Sequence, residues 1–310
     1  MHTPVDWKKV FRYLLLAFGI SWSVAATMKW LGIPYGSVAS VFIVAGLYMP
    51  GPAIAAFVLN RFWYKQSFKT YGWRFERSAV RWLLLTPLLL SGLLLLAFAV
   101  VALLGNTGVI PQFGQVDFSP AGFGVRFSRL LREQVGEQVV PLPVLPPAVM
   151  FAVFILQGLV AGATVNIPSS FGEEFGWRGL LLKETQPLGF FAANLVVGIA
   201  WGLWHLPIIL MGHNYPHHPY LGIVMMCLFT TGVSPLFAYV RLKSGTIAGP
   251  CLLHGMLNAT GGIFALFIAR YNELLGSVAG WAGIIAGTLM SLGIYVFDRP
   301  FAKAFKRESE

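Results

Sequence analysis

Charge is scarce in this chain. Only 11% of its 310 residues are Asp, Glu, Lys or Arg, less than half the roughly 25% usual in soluble domains. With 56% hydrophobic residues and a mean hydropathy of +0.70, a soluble core would leave much apolar surface unburied. Short alternating strands are also missing. Continuous apolar runs stand in their place, which argues against a transmembrane β-barrel. Cysteine is limited to Cys227 and Cys251, both inside apolar runs. That excludes an external disulfide framework and a Cys-based zinc site, and both read as small buried side chains. Aspartate occurs only at positions 6, 117 and 298, none of them in an apolar run.

What is present is a succession of apolar segments of about 20 residues, the length that crosses a bilayer as a helix. Eight are expected: Val10–Met28, Val38–Leu59, Trp82–Leu104, Ala148–Ile167, Gly189–Met211, Tyr220–Tyr239, Ile247–Ala269 and Ser277–Phe297. The fold class is therefore all-α, a polytopic helical membrane protein of about eight spans. The first run lacks a small-residue cleavage site and reads as a retained span. Alternating the loops between two sides places 17 of the 22 basic residues with the termini; Lys29, Arg126, Arg129, Arg132 and Arg270 fall on the other side. The positive-inside rule then makes both termini cytoplasmic. The net charge of +10 is spread over separate loops, which fits contact with anionic lipids and argues against a nucleic-acid partner.

The longest stretch between spans, Gly105–Pro147, divides the chain. Residues 1–147 form a three-span region ending in an outer loop, and residues 148–310 form a five-span region with the unusual polar residues. Within the loop, AGFGVRFSRLLREQVGEQ reads as an amphipathic helix lying on the bilayer, with Phe123, Phe127, Leu130 and Leu131 opposing Arg126, Arg129, Arg132 and Glu133. PLPVLPP, residues 141–147, then stops it.

Ten of the 12 acidic residues sit in loops or tails; Glu173 and Glu174 do not. A carboxylate in or near hydrocarbon costs several kcal/mol unless paired, hydrated or neutralised, so it is a functional candidate. His205 in GIAWGLWHLP and His254 in GPCLLHGMLNATGG also lie within apolar runs, and Asn258 shares a helix face with His254 at i+4. Around a turn near Pro187, Glu173 and His205 fall at similar depth, and His254 and Asn258 can reach the same cavity. The 14 residues from Glu173 to that turn, about 21 Å of helix, mean that either the turn protrudes or the site lies deep. Glu174 and Arg178 at i,i+4 favour an ion pair and leave Glu173 to face elsewhere. Gly172, Gly176 and Gly179 form a small-residue ridge that lets another helix approach, and Trp201 can pack on His205. A carboxylate and an imidazole facing one water can deprotonate it for attack on a carbonyl. A second histidine and an amide can stabilise the resulting oxyanion. HExxH and GxSxG are both absent, which leaves metalloprotease and serine-elbow chemistry unsupported.

EEFGWR (173–178), WGLWH (201–205) and HGMLN (254–258) fit EExxxR, FxxxH and HxxxN. In this order and spacing they resemble the type II CAAX prenyl protease and bacteriocin-processing family, also called the abortive-infection or CPBP family, over roughly residues 150–270. The resemblance implies an intramembrane glutamate endopeptidase that needs no cofactor. Glu173 and His205 would activate water, His254 and Asn258 would form the oxyanion hole, and Glu174 and Arg178 would hold the site together. Trp201 stands where the family usually has Phe, a departure expected to affect ring packing and not proton transfer. The implied substrate is a peptide or protein cut near its C-terminus, with a prenyl group as one lipid modification it can carry. The cavity is expected to open to the cytoplasm.

Two other readings accompany this one: a non-catalytic immunity or binding protein of the same family, and a metal-dependent hydrolase with Glu173, His205 and His254 as ligands. His213, His217 and His218 in GHNYPHHP read as an exposed turn.

Overall fold

The computed structural model describes residues 4–74, 77, 79–135, 145–298 and 300–301. Most of PLPVLPP and the basic tail after Phe301 lie outside them. Long apolar sequences with few charges form helices because a bilayer offers backbone N–H and C=O groups no other partner. Helices α1 (Trp7–Trp30), α2 (Val38–Tyr64) and α3 (Ala79–Asn106) come first, each long and apolar enough to cross a membrane. A short strand β1 (Gln115–Val116) and helix α4 (Pro120–Val135) follow. Next is a pair, α5 (Pro147–Ala163) and α6 (Ile167–Leu188), bent by 62° at residues 164–166. Three further long apolar helices are α7 (Phe190–Leu210), α8 (Pro219–Ser244) and α9 (Ala248–Phe267). Strand β2 (Ile268–Ala269) and the shorter α10 (Trp281–Phe297) end the described chain. Eight spans were expected. Among the described residues the structure has six helices of crossing length, a seventh crossing if the bent pair is one span, and α10 as a shorter apolar helix.

The connections sort to two ends. At one end, Lys9 near the start of α1 pairs with Glu184 of α6 at 2.6 Å and with Gln66 at 3.0 Å. The Ile247 N–H donates to the Gly72 carbonyl, Arg74 to the Gly245 carbonyl, and the Tyr239 hydroxyl to Asp298. At the other end β1 pairs antiparallel with β2, Gln115 opposite Ala269. Tyr35 bonds His213 there, and the Tyr215 hydroxyl donates to the Ala279 carbonyl. This segregation holds only if α5 and α6 together make one traversal. It puts Asp6 and Asp298 at the same end, called here the terminal end.

The loop helix α4 is amphipathic, as expected, but it does not rest its apolar face on lipid alone. Phe123 is fully buried against Phe267, with ring centroids 5.2 Å apart. Arg126 donates to Asp117 at 2.8 Å and to the Leu266 carbonyl at 2.7 Å. The helix therefore caps the far end of α9.

Candidate active site

Three interruptions of regular helix place the polar residues. Pro168 lies in the first turn of α6, where its missing N–H costs nothing. Just before it, Asn166 donates to the Gly255 carbonyl at 2.9 Å and ties the bend to α9. Further along α6, residues Phe175–Leu181 form a π-helical stretch, a widened turn often found at functional sites. In α7, Pro207 cannot donate to the preceding turn, so the helix breaks at His205, which adopts φ −73° and ψ −8°. The Trp204 carbonyl freed by that break accepts from Trp22 Nε1 at 3.0 Å and from the Tyr48 hydroxyl.

Glu173, Trp201, His205, His254 and Asn258 all line one cavity of about 590 Å³. Glu174 and Arg178 stand behind it. Glu174 Oε1 accepts from Arg178 Nη1 at 2.9 Å and from His254 Nδ1 at 2.7 Å. The Arg178 guanidinium lies over the rings of Trp201 and Phe237, 4.2 and 4.5 Å from their centroids. Such faces attract a cation most strongly where water is excluded, and Glu174 and Arg178 are both buried. Glu173, one residue earlier, turns away from this pair. Its Oε2 accepts from Trp201 Nε1 at 2.7 Å, and its Oε1 lies 3.9 Å from His254 Nε2.

The hydrogen bonds fix the imidazole tautomers. A carbonyl only accepts, so His205 Nδ1, 2.8 Å from the Trp201 carbonyl, carries a proton. A neutral His205 therefore has Nε2 as an acceptor. A carboxylate likewise only accepts, so His254 Nδ1 donates to Glu174. If His254 is also protonated at Nε2, that N–H points toward Glu173 and the cavity.

Several expectations change here. The indole of Trp201 donates directly to Glu173, so the departure from Phe reaches the carboxylate itself. The Trp201 ring lies nearer His254, at 5.3 Å, than His205, at 6.1 Å; Trp204 is the close neighbour of His205, at 4.8 Å. His213 is not part of an exposed turn. Its ring lies parallel to that of His205, 5.7 Å away at 3°, and lines the cavity. Burial pushes the His213 pKa down to about 4, which keeps the ring neutral. His217 and His218 are exposed, and both meet Glu273. Sequence reasoning missed His213 because its only cue was a cluster of histidines in a turn. Gly212, at φ +107°, turns the chain back over the site, a conformation that favours glycine. Arg178, counted among the 17 basic residues beside the termini and also expected to pair with Glu174, is buried at the site. Among the described residues no three His, Cys, Asp or Glu side chains are grouped to hold a metal ion.

Residues 143–260 match the family model of the Rce1-like type II CAAX prenyl endopeptidases. The likeness extends over 118 of the 310 residues. The match covers all three motifs and every residue brought to the cavity from α6, α7 and α9 up to Thr260. A CAAX prenyl protease 2 of Methanococcus maripaludis is 39% identical over 46 residues, 14% of this chain and 17% of that protein. So short an overlap carries likeness of sequence and nothing about the whole relative's behaviour. The Rce1-like region and the apolar helices together describe an integral membrane protein.

Proposed function

We propose that the chain is an intramembrane endopeptidase that hydrolyses a peptide bond with water activated between Glu173 and His205. The observation that carries this is the convergence of Glu173, His205, His254 and Asn258 on one cavity. Glu173 is held by Trp201, and His205 presents an unprotonated Nε2 when neutral. Water between them loses its proton as it attacks the carbonyl carbon. His254 and the Asn258 amide, one turn apart on α9, donate to the oxyanion. Glu174 and Arg178 act as positioning residues by holding His254. The proton taken from water then passes to the leaving amine, and Glu173 returns to its starting state. No covalent intermediate is needed. Membrane lipids surround the helices, and the substrate is a peptide or protein. A lipid tail, a prenyl group among the candidates, fits beside the apolar wall of Val41, Val44, Met226 and Phe229. The Rce1-like match supports this substrate class.

The test is cleavage of a quenched fluorescent farnesylated CAAX peptide by the purified chain in detergent, with and without a strong chelator. Glu173→Gln keeps the shape and removes the base, so its rate should fall roughly 10²–10⁴-fold. Wild-type turnover should survive the chelator. A Glu173→Gln variant as fast as wild type would sink the mechanism.

A further inference from the structure

The cavity mouth faces away from the terminal end. Its lining includes Tyr35 and Gly36 of the α1–α2 connection, His213 and Asn214 of the α7–α8 connection, and Tyr271 and Ser277 of the α9–α10 connection. All three connections lie at the end opposite Asp6 and Asp298. Among the described residues, no lining residue comes from the α2–α3 connection, the α6–α7 turn or the α8–α9 turn. From the terminal end the site is closed. The first 15 residues of α7 precede His205, about 22 Å of helix. Below Glu173, the fully buried Trp177 packs edge-on against Tyr13 at 5.8 Å. A cytoplasmic cavity mouth and cytoplasmic termini, both expected from the sequence, therefore exclude each other.

Charge decides between them. The stretch from Arg61 to Arg81, at the terminal end, contains six basic residues. Lys8, Lys9, Arg12, Arg241 and Lys243 join it there. At the mouth end stand Lys29, Arg126, Arg129, Arg132 and Arg270, five against the eleven just named. Lys and Arg in short loops stay in the cytoplasm, so the terminal end is the cytoplasmic one. We propose that the cavity opens on the non-cytoplasmic face and that the site takes polypeptide segments presented from that face, exported chains or the membrane-proximal part of anchored ones. The substrate half of this proposal rests on the endopeptidase reading; the orientation does not.

Orientation is tested in intact cells producing the full chain, labelled with a membrane-impermeant maleimide. His217→Cys at the mouth end and Lys69→Cys at the terminal end are both exposed positions outside the site. Tyr220→Cys and Thr70→Cys provide a second pair. The unaltered chain, with Cys251 buried and Cys227 half-buried, gives the background. Mouth-end cysteines should label at least tenfold more than terminal-end ones until the cells are permeabilised, when both should label. Reversed or equal labelling before permeabilisation overturns the proposal. The substrate half is read with an impermeant peptide in sealed vesicles: right-side-out vesicles should cleave it and inverted ones should not. Cleavage only by inverted vesicles overturns it. Outward labelling with no cleavage in either preparation overturns the endopeptidase reading and the substrate class with it, and leaves the orientation supported.

Discussion

The indole of Trp201 touches the carboxylate that the proposed reaction needs most. Its N–H fixes one oxygen of Glu173 at 2.7 Å, while its ring also covers the Arg178 cation. Trp201→Phe would keep most of the ring and remove the donor, so the fold should accept it. A hydrogen bond to a charged group contributes about 1.5 kcal/mol or more, so kcat should fall about tenfold with KM little changed. Equal kcat in steady-state assays of the two proteins would make the bond structural only. At this scale, burial of charge was readable from sequence. Glu173, Glu174, His205 and His254 stand out because ionisable groups are costly in apolar runs. The Trp201 donor was not readable, since it depends on how two helices are rotated against each other. His213 was hidden too, because a reversal at Gly212 brings it back over the site.

Helices in this molecule approach closely where glycine allows it. A Cβ on Gly172 would lie 2.7 Å from Pro50 Cα and 2.9 Å from the Met49 carbonyl oxygen, and one on Gly176 would lie 2.6 Å from Pro52 Cβ. The ridge read from the Gly172–Gly176 spacing thus packs α6 onto α2, beside Glu173. Backbone cannot yield as a flexible side chain does. Gly172→Ala should therefore destabilise by roughly 1–3 kcal/mol and lower activity with it. Gly19 in α1 gives the opposite case: a Cβ there meets nothing within 4 Å. Gly19→Ala should be neutral or stabilise by up to about 1 kcal/mol. Thermal unfolding in detergent compares the two, and an unshifted Tm for Gly172→Ala would refute the packing argument. Apolar runs identified the six helices of crossing length, because hydropathy reports length and lipid contact, but not α6. The bend between α5 and α6 escaped that reading. Asn166 and Pro168 sit inside an apolar region, and only the bond from Asn166 to the Gly255 carbonyl shows why the chain turns there.

Seen across the whole molecule, cations are kept away from the cavity. Among the described residues, none that lines it is Lys or Arg, and the Arg178 guanidinium behind it donates through Nη1 to Glu174 and lies over the Trp201 and Phe237 rings. The basic residues gather instead at the terminal end. Loop charge made that gathering readable from sequence. The position of the mouth was not, because the lining there comes from three connections far apart in the chain. A free C-terminal carboxylate entering such a cavity meets the Glu173 carboxylate and no Lys or Arg to offset its desolvation, and the doubly protonated His254 that the reaction uses is already held between Glu174 and Glu173. The end of a substrate should therefore gain nothing from being charged. A peptide amidated at its C-terminus should be cleaved with a kcat/KM within about threefold of the free acid, or faster, since each 1.4 kcal/mol of recognition is about tenfold. Parallel progress curves for the acid and amide forms decide this. A loss of more than tenfold on amidation would mean that a cation reaches the cavity when substrate binds, and that the closed wall around Arg178 rearranges during the reaction.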